Sequence, residues 1–352
     1  DRLLSRWTFS GSHGLPQNRD ASSFLSNMLL SRVDKAMAGK GYDYYRYVDD
    51  IRVIADSEVH ARRALQDLIR LLRTVGLNIN ANKTAILSPE TSPDDLSKFF
   101  PSQDSTTTAI NQMWQSRSRR IVTRFVTYIF EILTKCIEAG ETQTRSFRFA
   151  VNRVAQIVES GLFDVSDALS ISLLDTLSAS LSEHAATTDQ YCRLISILDR
   201  DGRCLPALEA FLLAEDGAIH EWQNYNIWLL LAMRKHRSDD LVALADRKLQ
   251  NDLKSGEAAA IFIWLRCVGE KGLIERSIGE FESLPYQNAR YLLISSAVLD
   301  DDKLRPLYGK VPTGLKATRA RASRYENEEG LPFAIRERPN ILNLVDEISE
   351  YD

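Results

Sequence analysis

The stretch that most limits what this chain can fold into is Tyr44-Tyr45-Arg46-Tyr47-Val48-Asp49-Asp50-Ile51-Arg52-Val53-Ile54-Ala55. Aromatic and β-branched residues flank two adjacent carboxylates, with no glycine or proline at the carboxylates. That pattern predicts a β-hairpin with the Asp pair at its tight turn. Two neighbouring carboxylates repel each other unless a cation lies between them. A hard divalent ion such as Mg²⁺ suits two carboxylates plus the phosphates of a substrate. Taken alone, an Asp-Asp turn also reads as an ordinary surface turn, so its meaning depends on its surroundings.

Upstream, Gly14-Leu15-Pro16-Gln17 lies in a Gly/Ser/Pro-rich loop. Asp20 or Ser22 can cap a following helix, with Phe24, Leu25, Met28, Leu29, Val33 and Met37 at helical spacing. That helix stops near Gly39-Lys40-Gly41, just before the hairpin. Downstream, Ser57 to Val75 reads as a second amphipathic helix, with Ala64, Leu68 and Leu72 on its buried face. Gly76 suits the position just past its end. Leu77-Asn78-Ile79-Asn80 alternates as a half-buried strand would. Asn82-Lys83-Thr84 then turns into Ala85-Ile86-Leu87, a returning strand. The order predicts an α+β unit over residues 1–87, an antiparallel sheet with helices on one face.

Pro89, Pro93 and Pro101 with a run of Ser and Thr mark residues 88–108 as a linker. From Ala109 the pattern is helical throughout, with glycine stops at Gly140, Gly161, Gly202, Gly217 and Gly256. Paired helices with a loose period of about 30–40 residues predict a HEAT-like α-solenoid over 109–312; an irregular helical bundle is the alternative. Trp222, Trp228 and Trp264 are expected in its core. Residues 313–352 form a basic then acidic tail with a short docking helix, Ile341 to Ser349.

The net charge of −4 means that any nucleic acid must be held by local basic patches. The four cysteines, Cys136, Cys192, Cys204 and Cys267, lack metal-ligand spacing and read as reduced thiols of a cytoplasmic protein. No apolar run reaches transmembrane length, so no membrane partner is expected. The chain opens at Asp1 in mid-domain and is expected to be part of a longer polypeptide.

The ordered set of Gly14-Leu15-Pro16-Gln17, Tyr47-Val48-Asp49-Asp50 and Gly76-Leu77-Asn78 with Lys83 resembles the palm of reverse transcriptases, as their motifs B, C and D. The resemblance covers about residues 10–87. It implies a partial polymerase palm whose N-terminal part is missing, followed by an all-α domain. It implies two-metal nucleotidyl transfer with Mg²⁺ or Mn²⁺. Asp49 and Asp50 would be metal ligands, joined by a third carboxylate from upstream of Asp1. Gln17 and Tyr47 would bind the incoming dNTP. Lys83 would stand by the leaving pyrophosphate, a solvated turn lysine being the alternative. Two departures are visible. Asn18-Arg19 follows Gln17 where the family carries Gly, and no residue before Gly11 matches the first catalytic aspartate.

A palm followed by a long helical region is similar to the bacterial abortive-infection and other defence-associated reverse transcriptases. That resemblance implies antiviral (anti-phage) defence, with template-independent, protein-primed DNA synthesis as one version and conventional RNA-templated synthesis as another. A catalytically degenerate palm serving as a scaffold is the rival class. The expected partners are dNTPs, a single-stranded DNA product, an RNA template in the conventional version, and other copies of the chain in a homo-oligomer. Arg117, Arg120 and Arg124 share one helix face and suit the phosphates of a strand, or form a solvated face. Tyr325, following Arg319, Arg321 and Arg324, is the leading candidate for a priming hydroxyl.

Overall fold

The computed structural model describes residues 20–93, 96, 108, 119–159, 163–165, 167–214, 219–307 and 309–329. The chain divides into two compact units: His13–Ser105, and Thr106–Asp352 with Asp1–Ser12.

In the first unit, helix α1 (Asp20–Gly39) leads to strand β1 (Asp43–Tyr47), then β2 (Asp50–Ile54), then α2 (Glu58–Thr74). The strands pair antiparallel in the register Tyr44↔Val53, Tyr45↔Arg52, Arg46↔Ile51 and Tyr47↔Asp50. Side chains alternate across the sheet, so Tyr44, Arg46, Ile51 and Val53 turn one way and are half-buried. They pack on a small core of Leu30, Val33 and Met37 from α1 and Ala64, Leu68 and Leu72 from α2. The opposite face, with Tyr45 and Tyr47, is open.

Both helices end in the same way. Gly41 (φ +80°) donates to the Ala38 carbonyl at 2.9 Å, and Tyr42 N–H reaches back to Met37 at 3.4 Å. Gly76 (φ +77°) donates to Arg73 at 3.1 Å, and Leu77 N–H to Leu72 at 2.9 Å. These are Schellman closures, in which a left-handed residue lets two final carbonyls find donors. At its start α2 is capped by Ser57, whose Oγ accepts from His60 N–H at 3.2 Å.

Three expectations are corrected here. On α1, Phe24, Met28 and Leu29 are exposed, and the covered stripe is Leu30, Val33 and Met37. Ser22 is not a cap, because the helix already begins at Asp20. Residues 77–80 and 85–87 form no strands. A strand needs a ladder partner, and among the described residues the sheet has two strands, β1 and β2. A 3₁₀ turn, Ala81–Lys83, fills the space between them in sequence.

The second unit is helical throughout its described residues. Its helices are α3 (Arg119–Glu138), α4 (Arg145–Glu159), α5 (Ala168–Ala179), α6 (Thr188–Leu198), α7 (Leu205–Leu213), α8 (Glu221–Met233), α9 (Asp239–Asn251), α10 (Gly256–Val268), α11 (Lys271–Ile278), α12 (Tyr286–Ser295), α13 (Asp301–Leu304) and α14 (Thr318–Glu329). Alternate helices stack on one another: α4 on α6, α6 on α8, α8 on α10, α10 on α12, and α12 on α14. The intervening helices connect the row, with α3 against α5 and α7 against α9. At the centre, α10 is buried along its length from Gly256 to Arg266.

Trp264 on α10 meets Trp228 on α8 edge-on, with ring centroids 4.9 Å apart. Both are wholly buried, and both indole N–H groups are satisfied. Trp228 Nε1 donates to Glu257 at 3.1 Å, and Trp264 Nε1 to the His236 carbonyl at 2.9 Å. Trp222 does not join them. It is 53% exposed and stacks flat on Tyr225, at 6.0 Å and 9°. The reason is helical phase: α8 buries Gln223, Asn224, Ile227 and Trp228, and residue 222 falls on the other side. Ile341 to Ser349 lie outside the described residues.

Candidate active site

The candidate site is the tip of the β1–β2 hairpin. Only Val48 and Asp49 lie between the paired residues Tyr47 and Asp50. A two-residue hairpin loop needs positive φ to match the twist of its strands. Here that falls on Val48, at φ 56°. A β-branched residue pays a steric penalty in that region, and such outliers gather where a tip is held for use. The loop divides the two carboxylates. Asp49 sits in the turn, while Asp50 opens β2 beside Tyr47 on the open face. Both are exposed.

The tip is fastened to α1 by a group of side chains that sequence reading passed over. Arg46 makes a bidentate pair with Asp34: Nε to Oδ1 at 2.9 Å and Nη2 to Oδ2 at 2.8 Å. Its Nη1 donates to Asn27 Oδ1 at 2.8 Å and to the Val48 carbonyl at 2.7 Å. Tyr44 Oη also donates to Asp34, at 2.9 Å. One guanidinium therefore ties the strained residue beside Asp49 to two points on α1. The chemistry is charge-assisted and planar, which is where arginine outperforms lysine. The arginine hydrogen bond holds the Asp34 carboxyl below its ordinary range, and the same bond raises Arg46. Burial, helped by Asp34, raises the Tyr44 hydroxyl strongly.

The hairpin base is fastened to α2. Tyr42 Oη donates to Asp67 at 2.9 Å, Lys40 pairs with Asp67 at 3.1 Å, and the Tyr42 ring lies 5.5 Å from that of His60. A rigid hairpin between two helices, with its acidic tip in solvent, can offer oxygen ligands without rearranging. Among the described residues no third carboxylate, histidine or cysteine joins Asp49 and Asp50 as a metal-holding group.

The other expected site residues are placed as follows. Tyr47 lies across the ladder from Asp50, with its ring 81% exposed. Lys83 is exposed in the 3₁₀ turn after α2, where Asn80 Oδ1 accepts from Asn82 N–H at 3.0 Å. Gln17 and Arg117 lie outside the described residues. Arg120 and Arg124 fall on α3 and Tyr325 on α14, but their side chains are not among those described. Of the second arginine cluster, Arg148 donates to the Gln143 carbonyl at 3.1 Å, and Arg153 lies 4.9 Å over the Phe149 ring.

With this geometry in view, comparison with known proteins points one way. Residues 6–149 match the family model described as reverse transcriptase (RNA-dependent DNA polymerase). The match runs past residue 87, through the proline-rich stretch and into α4. Among individual proteins, the chain is similar to the retron Ec86 reverse transcriptase of Escherichia coli. The two are 34% identical over 79 residues, 21% of this chain and 25% of that protein. The chain thus spans about a quarter of the length of the curated relative it matches. No solved structure matches it.

Proposed function

We propose that this chain carries the catalytic carboxylates of a reverse-transcriptase-type DNA polymerase, a nucleotidyltransferase that extends a strand from dNTPs. The observation that carries the reading is the Asp49-Asp50 tip on its Arg46–Asp34 brace, within the region that matches the family. Adjacent, exposed carboxylates are hard oxygen donors, and they fit Mg²⁺ or Mn²⁺. Ions bound there, with a further carboxylate, supply charge that activates the primer hydroxyl and steadies the triphosphate. The protein's own part is placement. Asp49 is the direct ligand, Asp50 lies beside it, and Tyr47 on the same face supports the incoming nucleotide. Gln17 lines the nucleotide pocket, and Lys83 stands by the leaving pyrophosphate.

The family resemblance and the stacked helices extend the proposal. The helical unit, read as a HEAT-like domain, places the chain with bacterial defence enzymes of the abortive-infection type, acting in the cytoplasm as a homo-oligomer. In that version Arg117, Arg120 and Arg124 hold the product strand and Tyr325 offers the priming hydroxyl. RNA-templated synthesis is the second reading, and the similarity to a retron enzyme favours it.

The test is incorporation of labelled dNTPs by the full-length protein with Mg²⁺, with and without added RNA template, resolved on a denaturing gel. Asp49→Asn keeps the shape of the tip and removes a ligand charge. It should lower incorporation on the order of 10³-fold, several kcal/mol of transition-state stabilisation. Undiminished incorporation by Asp49→Asn sinks the polymerase reading. Label that migrates with the protein in the absence of RNA supports protein priming. Strict dependence on the template supports the retron-like reading.

A further inference from the structure

Far along the chain from the hairpin, the helical unit contains a cavity of about 790 Å³, within the range of small-molecule sites. Its floor is apolar: Leu293 on α12, Leu304 and Leu307, and Leu315. Its rim is cationic: Lys310, Lys316 and Arg319. The segment between α13 and α14 forms the wall. Gly309 (φ +84°) and Pro312 bend the backbone there, bringing both lysines to the same opening as the leucines.

Three observations mark the cavity as wanting an anion. The Nε of Arg319 is buried and, among the described residues, has no hydrogen-bond partner. A buried guanidinium N–H without an acceptor costs free energy that a ligand oxygen can recover. A second guanidinium, Arg266 on α10, lies close by, and its Nη1 donates to the Ile294 carbonyl. It is itself buried; its pKa falls chiefly through burial, and the positive charge of Arg319 adds to the fall. Two like charges held at close range favour a negative group between or beside them. On the rim, Lys310 has a carboxylate neighbour in Glu282 at 3.0 Å, with both side chains in solvent. An exposed pair of that kind is weak and yields readily to a phosphate.

We infer that this cavity binds a phosphorylated small molecule of nucleotide size, with its phosphates on Lys316, Arg319 and Lys310 and its ring on the leucine floor. Bidentate arginine and point-charge lysine together suit a polyphosphate, while four leucines offer nothing to a bare inorganic anion. The inference is independent of the polymerase reading, since no residue of the hairpin takes part.

The experiment is equilibrium binding of fluorescent-labelled dATP to the full-length protein in EDTA, which silences any site that depends on divalent ions. Wild type, Lys316→Glu, Arg319→Gln and the double variant are compared, with thermal melts confirming that each is folded. Binding should persist in EDTA, weaken at least tenfold in each single variant and vanish in the double one. Inorganic triphosphate should compete at least tenfold less well than unlabelled dATP. Lys316 is exposed, so Lys316→Glu keeps the test open if Arg319→Gln destabilises the unit. Three outcomes overturn the inference: no binding in EDTA, unchanged binding in folded Lys316→Glu, or triphosphate matching dATP. None of them bears on metal-dependent incorporation at Asp49, so the two readings fail separately.

Discussion

At the scale of single residues, Arg46 decides whether the acidic tip is a loose turn or a fixed one. Its guanidinium holds Asp34, Asn27 and the Val48 carbonyl together. Arg46→Lys keeps the charge but loses the planar fork, so one contact survives where four existed. The fold should persist while Mg²⁺-dependent incorporation drops about tenfold or more, since small displacements of a reacting group are costly. Asp34→Asn should cost about 1–3 kcal/mol of stability at neutral pH. The pH dependence follows from the direction of the Asp34 shift. Its carboxyl titrates lower in the folded state than in the unfolded chain. Its contribution is therefore complete above the unfolded value, about 3.9, and is lost as pH falls from there through the folded value. Melting temperatures of wild type and Asp34→Asn should converge as pH is lowered from 5 toward 3; a constant gap contradicts the assignment. This pair was legible in principle. The period-two register puts Arg46 on the same face as Tyr44 and opposite Ile51, and a cation facing the packed side requires a carboxylate. What the sequence could not supply was which carboxylate, because Asp34 reaches it only through the crossing of α1 over the hairpin.

At the scale of elements, two positions with positive φ carry opposite consequences. Gly76 closes α2, and a Cβ added there would meet no atom within 4 Å. The cost of Gly76→Ala is therefore backbone strain alone, about 1–2 kcal/mol, read as a lower midpoint in urea with unchanged slope. Val48 already bears such strain. Val48→Asn, which tolerates the left-handed region, should raise stability by about 0.5–1 kcal/mol in the same assay. A decrease would mean that the Val48 side chain contributes more to the tip than its backbone costs. The elements were largely readable because glycine, serine and alternation act locally. Gly76, Ser57 and the Tyr44–Ile54 alternation each sit where the physics of caps and strands puts them. The failures are non-local. Leu77-Asn78-Ile79-Asn80 alternates like a strand, but alternation does not create a ladder partner. Phe24 and Met28 are apolar at helical spacing, yet spacing says nothing about what covers them. Trp222 followed composition into an expected core, and the phase of α8 turned it out.

At the scale of the helical unit, stacking of alternate helices makes stability a chain of neighbour terms. Helix α10 rests on α8 and α12, and those on α6 and α14. No single core residue touches the whole row, so damage should spread outward from where it is made. Trp264 is the sharpest probe. It is wholly buried, packs on Trp228, and its Nε1 satisfies the His236 carbonyl just past α8. Trp264→Ala removes a large aromatic side chain and leaves that carbonyl without its donor, at a cost of about 3–5 kcal/mol. Amide exchange followed by mass spectrometry should accelerate most in α8, α10 and α12 and least in α3 and α4, which pack on each other at the far end of the sequence of contacts. Uniform acceleration across the unit would show one cooperative block, an irregular bundle rather than a stack of helix pairs. Graded acceleration would support the repeat architecture that the spacing of helix-stop glycines suggested, because only a row of nearest-neighbour contacts confines a defect in this way.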